Sequence, residues 1–307
     1  MNYKFIKMKN LLSIFFCLSI SFGSSFAKGK NLAGMVHIPS KSQTFIMGMD
    51  TAELFKNEPR AGWACYVGKH QVKFTYDFYM DSKLVTQGDY LKLMGNNPSG
   101  NITGDLNLPV EQVSWFDAII YCNARSKRDG LQPVYSYKSI VNKGNHVVGM
   151  EDLTFDIKKN GYRLPTNAEY EFAERANTTG RYFFISDGQD ANVAGNDYAW
   201  SINLSGFKYE KGGIFTTAVG SKKPNPWGIY DLIGNVFEWC NDWDASYVLT
   251  PEVDPVGQSS SIEGKRIAKG GSYRTDINYH MRIAYHYKWS PETVSGEIGF
   301  RCVATKR

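Results

Sequence analysis

PNPWGIYDLIGNVFEWCNDW, Pro224 to Trp243, is the stretch that decides how the rest of the chain is read. It gathers Trp227, Tyr230, Phe237, Trp239 and Trp243 beside Gly228 and Gly234 and the acids Asp231, Glu238 and Asp242, with Asp244 following at once. Neither a helical nor a strand period accounts for that mixture. Glycines beside aromatics predict a tightly turned, buried segment, with positive-φ positions and close backbone approaches that only glycine tolerates. Carboxylates set between turns also make oxygen-rich nests that suit a hard cation such as Ca²⁺. The segment therefore reads as an aromatic core first, a structural cation site second and a catalytic centre last.

Composition agrees with that reading. The 307 residues suffice for one large or two ordinary domains, and 42% hydrophobic with 21% charged residues describe an ordinary globular protein. Aromatics at 14% and 29 glycines predict many turns and an aromatic core, and they argue against a helical bundle.

The N-terminus has the pattern of an export signal. Lys4, Lys7 and Lys9 precede the apolar run Leu11–Phe22, and Ser25-Phe26-Ala27 offers small residues where a signal peptidase reads. Residues 1–27 are thus expected to be a signal peptide, with residues 28–307 as one domain, and the mature protein periplasmic, extracellular or at the cell surface. Removing the leader leaves 32 basic against 30 acidic side chains, so no basic stripe argues for a nucleic-acid partner. No other stretch is long and apolar enough for a transmembrane segment. Four cysteines remain, Cys65, Cys122, Cys240 and Cys302. An oxidising compartment permits disulfides among them, and their spacing does not choose a pairing. No CxxC pair points to zinc.

Along the chain, Met35–Gly48 reads as two short strands around a polar turn. Gln71–Met80 alternates Val72, Phe74, Tyr76, Phe78 and Met80 and predicts one half-buried strand. Thr86 with Asp89 starts a helix whose buried stripe is Tyr90, Leu91 and Met94. Ser114 with Asp117 starts a second, carrying Ala118, Ile119, Tyr121 and Cys122, and Thr166 with Glu169 a third. Pro133–Gly149 reads as a surface insertion.

A series of motifs runs through nearly the whole mature chain in order: FIMG at Phe45–Gly48, VTQGDY at Val85–Tyr90, PVEQVSWFDAIIYCN at Pro109–Asn123 and YRLPTNAEYEFAERA at Tyr162–Ala176. NPWGIYDLIGNVFEWCNDW at Asn225–Trp243, GGSYR at Gly270–Arg274 and GFRCV at Gly299–Val303 follow. This series resembles the formylglycine-generating enzyme, or sulfatase-modifying factor, family. The resemblance implies an α+β, C-type-lectin-like fold with few regular elements and long loops.

The family's oxidase binds copper through two cysteines between GGSY and GFR. Here those positions fall at Thr275 and at or near His280, and no cysteine lies between Cys240 and Cys302. A hydroxyl and an imidazole do not replace the soft thiolates that hold Cu(I), so neither copper nor the oxidase activity is expected. The resemblance also implies a Ca²⁺ site on Asp231, Gly234, Val236 and Glu238. Relatives with non-haem iron suggest a second enzyme reading, with His280 and His286 as candidate ligands, although both read as surface residues. Arg282 and Arg301 match family arginines and are expected to hold ion pairs or carbonyls.

A third reading is binding. Tyr273, Arg274, Asp276, Asn278, Tyr279, His280, Tyr285, His286, Tyr287 and Trp289 form a set of amphipathic rings with polar partners, rich in contact area and low in side-chain entropy. The leading expectation is an exported family member that lacks oxidase chemistry and binds a small molecule or protein through its 273–296 face. The alternatives are an enzyme with altered chemistry and a structural component of an envelope assembly.

Overall fold

The computed structural model describes residues 32–50, 65–185, 189–204, 215–245 and 249–306. The expected signal peptide and the side chains of Cys65 and Tyr279 lie outside the described residues.

Two short strands open the fold, β1 (Met35–Ile38) and β2 (Thr44–Met47), followed by β3 (Cys65–Tyr66), β4 (His70–Lys73) and β5 (Asp77–Asp81). β1 and β2 do not pair with each other: β1 runs antiparallel to β5, and β2 to β4. The single strand expected at Gln71–Met80 is therefore two, assigned to different sheets. The break has a cause at Thr75, whose backbone N–H and hydroxyl both donate to the Asp254 carboxylate, at 2.7 and 2.5 Å. That clamp turns the chain between β4 and β5. β5 is also buried on both faces, since Phe78, Tyr79 and Met80 are all inside.

Helices α1 (Gln87–Met94), α2 (Trp115–Arg128) and α3 (Asn167–Arg175) start where the sequence predicts. The side chains of Thr86, Ser114 and Thr166 each accept from the backbone N–H three residues on, and the two later caps are full reciprocal boxes with Asp117 and Glu169. Each cap satisfies amide groups that a helix start otherwise leaves bare. In α1 the buried side chains are Gln87 and Tyr90, while Leu91 faces out. The expected insertion at Pro133–Gly149 instead holds β6 (Tyr135–Ser136), β7 (Ser139–Lys143) and the start of β8 (His146–Glu151). The β7–β8 hairpin is exposed along β7, but Val134 and Tyr135 are core residues.

The second half supplies β9 (Thr154–Phe155), β10 (Tyr162–Arg163), the short helix α4 (Ala191–Ala194), β11 (Phe237–Trp243), β12 (Glu252–Val253) and β13 (Arg266–Lys269). Helix α5 (Ile277–His280), β14 (Tyr285–Trp289), β15 (Ile298–Gly299) and β16 (Val303–Lys306) complete it. Three sheets have the orders β1-β5-β16-β10, β15-β11-β13-β14-β3 and β12-β4-β2. Helices α2 and α3 pack against strands of the mixed sheets and loops are long, as expected of an α+β fold of this kind.

The Pro224–Trp243 segment is buried from Asp231 to Asp242, and its last seven residues are strand β11. Its period was hidden because both faces of β11 are covered. Trp239 and Trp115 are inside and satisfied: their indole N–H groups donate to Val113 O at 3.0 Å and Cys240 O at 2.9 Å. Burying rings of this size contributes about 2–3 kcal/mol each. Gly234 has φ +81°, and a Cβ there would sit 2.0 Å from the Trp200 carbonyl oxygen. The close approach inferred from the glycines is thus real.

Candidate functional site

Two walls of a cleft are fixed by the segment after β13. Gly270 and Gly271 turn the chain at φ +83° and +76°. The next residues lock one another: Ser272 N–H donates to Thr275 Oγ1 at 2.9 Å, Thr275 N–H donates to Ser272 O at 2.9 Å, and Ser201 Oγ donates to Thr275 O. Ser272 Oγ also donates to Glu297 Oε2 at 2.6 Å, tying the turn to the segment before β15. Asp276 caps α5 by accepting from Asn278 N–H at 2.8 Å. This turn and α5 form the polar wall.

Strand β14 forms the aromatic wall. Strand geometry puts residues 285, 287 and 289 on one face and 286 and 288 on the other. On the first face Tyr287 lies 5.1 Å from Phe237 and 5.6 Å from Trp289, centroid to centroid, and Phe237 and Trp289 are 6.1 Å apart. Tyr285 continues the row, 6.5 Å from Tyr287 and 5.3 Å from His280. On the reverse face His286 Nε2 lies 3.1 Å from Asp244, and Lys288 bridges Asp244 and Glu263. That cluster holds the strand, and on the ring face Tyr287 is exposed, Trp289 half-buried, and Phe237 and Tyr285 buried.

Between the walls is a cleft of about 860 Å³. Phe237, Tyr287 and Trp289 line one side, Arg274, Thr275, Asp276 and His280 the other, and Ile202, Asn203 and Glu297 close it. Arg274 is extended toward solvent and only loosely paired, 3.6 Å from Glu297. Burial pulls the His280 imidazole below its ordinary range, partly opposed by Asp276. With His280 neutral, one arginine faces two carboxylates, and the cleft suits neutral or cationic groups better than polyanions. Its chemistry is flat apolar rings with hydrogen-bonding groups of both signs at the rim.

Of the ten residues read from the sequence as a binding face, Arg274, Asp276, His280, Tyr287 and Trp289 line this cleft. Tyr273, Tyr285 and His286 are buried, contrary to the expectation that they are displayed. His286 is not a surface residue, because the sheet period turns it inward against Asp244. Asn278 exchanges amide hydrogen bonds with Asn192, at 3.2 Å each way. Sequence reading missed Phe237, Ile202, Asn203 and Glu297, which reach the cleft from other elements. Phe237 was legible only as core, and the other three carry no local signal.

The sulfatase-modifying factor enzyme 1-like domain family matches residues 22–306. This chain belongs to that family. Among curated relatives, the chaperone protein LppX of Paenibacillus barcinonensis is 34% identical over 75% of this chain and 81% of LppX. The formylglycine-generating enzyme of Streptomyces coelicolor is 33% identical over 56% of each chain. The chain thus spans most of LppX but about half the length of the curated formylglycine-generating enzymes, 47% for that of Mus musculus. Among solved structures, Treponema denticola variable protein 1 has TM-score 0.69 at 28% identity, covering 88% of this chain and 94% of that one. PvdO from Pseudomonas aeruginosa shares the fold, with TM-score 0.63 at 21% identity over 89% and 94% of the two chains.

Within this sulfatase-modifying-factor frame, the positions of the oxidase cysteines serve other ends. Thr275 is consumed by its turn, and the His280 ring packs against Tyr285. The described free cysteines, Cys122, Cys240 and Cys302, are buried, and none lines the cleft. Among the described residues, no group of three or more His, Cys, Asp or Glu side chains is placed to hold a metal ion. The remaining histidines are engaged structurally: His70 between Gly68 and Glu252, His146 at Asp117, and His37 at Asp77.

The Ca²⁺ set meets a competing cation. Both oxygens of Glu238 accept from Arg301, at 2.6 and 2.8 Å, and Tyr170 OH donates to one of them at 2.8 Å. Arg301 also donates to the carbonyls of Asp81 and Tyr230, the structural role expected for it. Asp231 Oδ2 accepts from Gly220 N–H at 2.7 Å, while its buried Oδ1 has no hydrogen-bond partner. Burial pushes the Asp231 carboxyl up to about 6. A Ca²⁺ shell needs about six to eight oxygens, and here the guanidinium already neutralises one of the two carboxylates. As arranged, Glu238 is taken up by Arg301, while Asp231 Oδ1 is the buried oxygen of the expected set left without a partner.

Proposed function

We propose that this protein is an exported, non-oxidase member of the family that binds a partner, either a small molecule or a segment of another protein, through the cleft of the 273–296 face. The observation that carries the reading is the cleft itself: a row of rings, with Tyr287 exposed and Trp289 half-buried, facing Arg274, Asp276 and Glu297, where the family's oxidase needs paired thiolates. Rigid rings give contact area at low entropic cost, and the mixed-sign rim supplies orientation. The 34% identity to a relative named as a chaperone protein favours a protein segment as occupant.

The test separates binding from oxidation. Purified protein is incubated aerobically with Cu(I) and a peptide of the sulfatase CxPxR type, and the peptide is followed by mass spectrometry. The expected result is an unchanged peptide. Conversion of its cysteine to an aldehyde would sink the non-oxidase reading.

A further inference from the structure

We infer that the ligand of the 273–296 cleft carries a primary ammonium group, which seats in a recess formed by Glu111, Tyr273 and Gly296 beside the cleft residue Glu297. The inference rests on the cleft reading and names the chemistry of its occupant. Glu111 is 1% exposed, and its two carboxylate oxygens keep different company. Oε1 accepts from the Asn101 N–H at 2.8 Å, whereas the buried Oε2 has no hydrogen-bond partner among the described residues. A buried carboxylate oxygen left without a donor is costly, and a donor brought by a ligand removes that cost.

Gly296 opens the space that this oxygen faces. A Cβ at Gly296 would lie 3.5 Å from Glu111 Oε2 and 3.7 Å from the Tyr273 hydroxyl, and beyond its chain neighbours no other described atom comes within 4 Å. No hydrogen bond joins the Tyr273 hydroxyl to another described residue. Glu297 follows in the chain and lines the cleft. Its Oε2 is held by Ser272, while Oε1 lies 3.6 Å from Arg274, longer than a hydrogen bond. Burial pushes the Tyr273 hydroxyl up, Glu297 and Glu111 add to the rise and Arg274 opposes it, so these charges act together on the recess.

An ammonium group has three N–H donors and no acceptor. That count matches Glu111 Oε2, the Tyr273 hydroxyl oxygen and Glu297 Oε1. Its charge also offsets two carboxylates that share a single arginine. A guanidinium is a wider planar fork with more donors than these oxygens take up, and a quaternary ammonium has no N–H to offer Glu111. Tyr287 and Trp289 are then left to cover the apolar part of the same ligand.

Isotope-labelled full-length protein is titrated with methylammonium chloride, and with tetramethylammonium chloride as a control of equal charge without N–H groups. The expected result is a saturable shift of the Gly296 and Glu297 amide resonances with methylammonium alone. Glu111→Gln should weaken it about tenfold at an unchanged melting temperature, because the amide keeps an oxygen for the Asn101 N–H and replaces Oε2 by a donor. Gly296→Ala should also block it, by placing a methyl group in the recess. Equal shifts with both cations, or unchanged methylammonium binding in Glu111→Gln, would overturn the proposal. Phenylalanine amide and Nα-acetyl-lysine amide, each against its fully acetylated form, tell a chain-terminal amine from a lysine side chain; if acetylation weakens neither, the proposal fails. A ligand that needs Arg274 and Tyr287 but binds Glu111→Gln as tightly as the wild type would sink the recess and leave the cleft reading standing. A methylammonium response with no ligand that needs those two side chains would support the recess and sink the cleft reading.

Discussion

Glu238 and Arg301 sit fully buried at the centre of the motif that organises the chain, and their pairing shows how costly a buried charge is when left alone. Arg301→Ala should destabilise the fold by about 3–5 kcal/mol in a urea titration, because the Glu238 carboxylate stays behind without its partner. Replacing both residues by apolar side chains of similar size should cost less. Two other buried acids give a pH signature. Burial pushes the carboxyls of Asp242 up to about 7 and Glu174 up to about 8. Above roughly pH 4 the unfolded chain releases protons that the folded chain keeps, so stability falls as pH rises and the loss is complete above the folded values. Denaturation midpoints should decline between about pH 5 and 8, and Glu174→Gln should flatten the alkaline part of that decline. A midpoint that rises over this range would contradict the assignment.

At the scale of elements, the α2 cap and the exposed hairpin are one unit. Asp117 completes the cap at Ser114 and also accepts from Val147 N–H at 2.9 Å and meets His146 at 3.0 Å. Asp117→Ala should cost about 1–2 kcal/mol from the cap and should also raise hydrogen exchange at Val147 in β8. Gly234→Ala should be worse, because its backbone lies at φ +81° and its Cβ would strike the Trp200 carbonyl. An expected loss of about 3 kcal/mol is checked by the same titration. Caps and turn glycines were legible in the sequence because their chemistry is local. The split of Gln71–Met80 into β4 and β5 was not, since Asp254, far along the chain, makes the turn at Thr75. The hairpin within the expected insertion was missed because β7 is exposed along its length and carries no buried period.

For the whole molecule, family motifs in order specified the fold, while the cleft is a tertiary product. Half of the expected binding face lines it, because alternation along β14 turns Tyr287 and Trp289 to the cleft and His286 to the core. Phe237, Ile202 and Asn203 join from segments distant in sequence, and no spacing rule could have gathered them. In the motif that resembles the family's Ca²⁺ turn the acids were legible but their company was not, since Arg301 reaches Glu238 from 63 positions away. Adding Ca²⁺ or a chelator should accordingly leave the melting temperature unmoved; a rise of several degrees with Ca²⁺ would show that the ion displaces Arg301.

The most direct test of the central claim compares the binding of the wild type with that of Arg274→Ala/Tyr287→Ala across peptide and glycan arrays. The cleft reading predicts at least one ligand class bound by the wild type and weakened roughly 30-fold in the variant, with the melting temperature unchanged. Array profiles that coincide for the two proteins would contradict it.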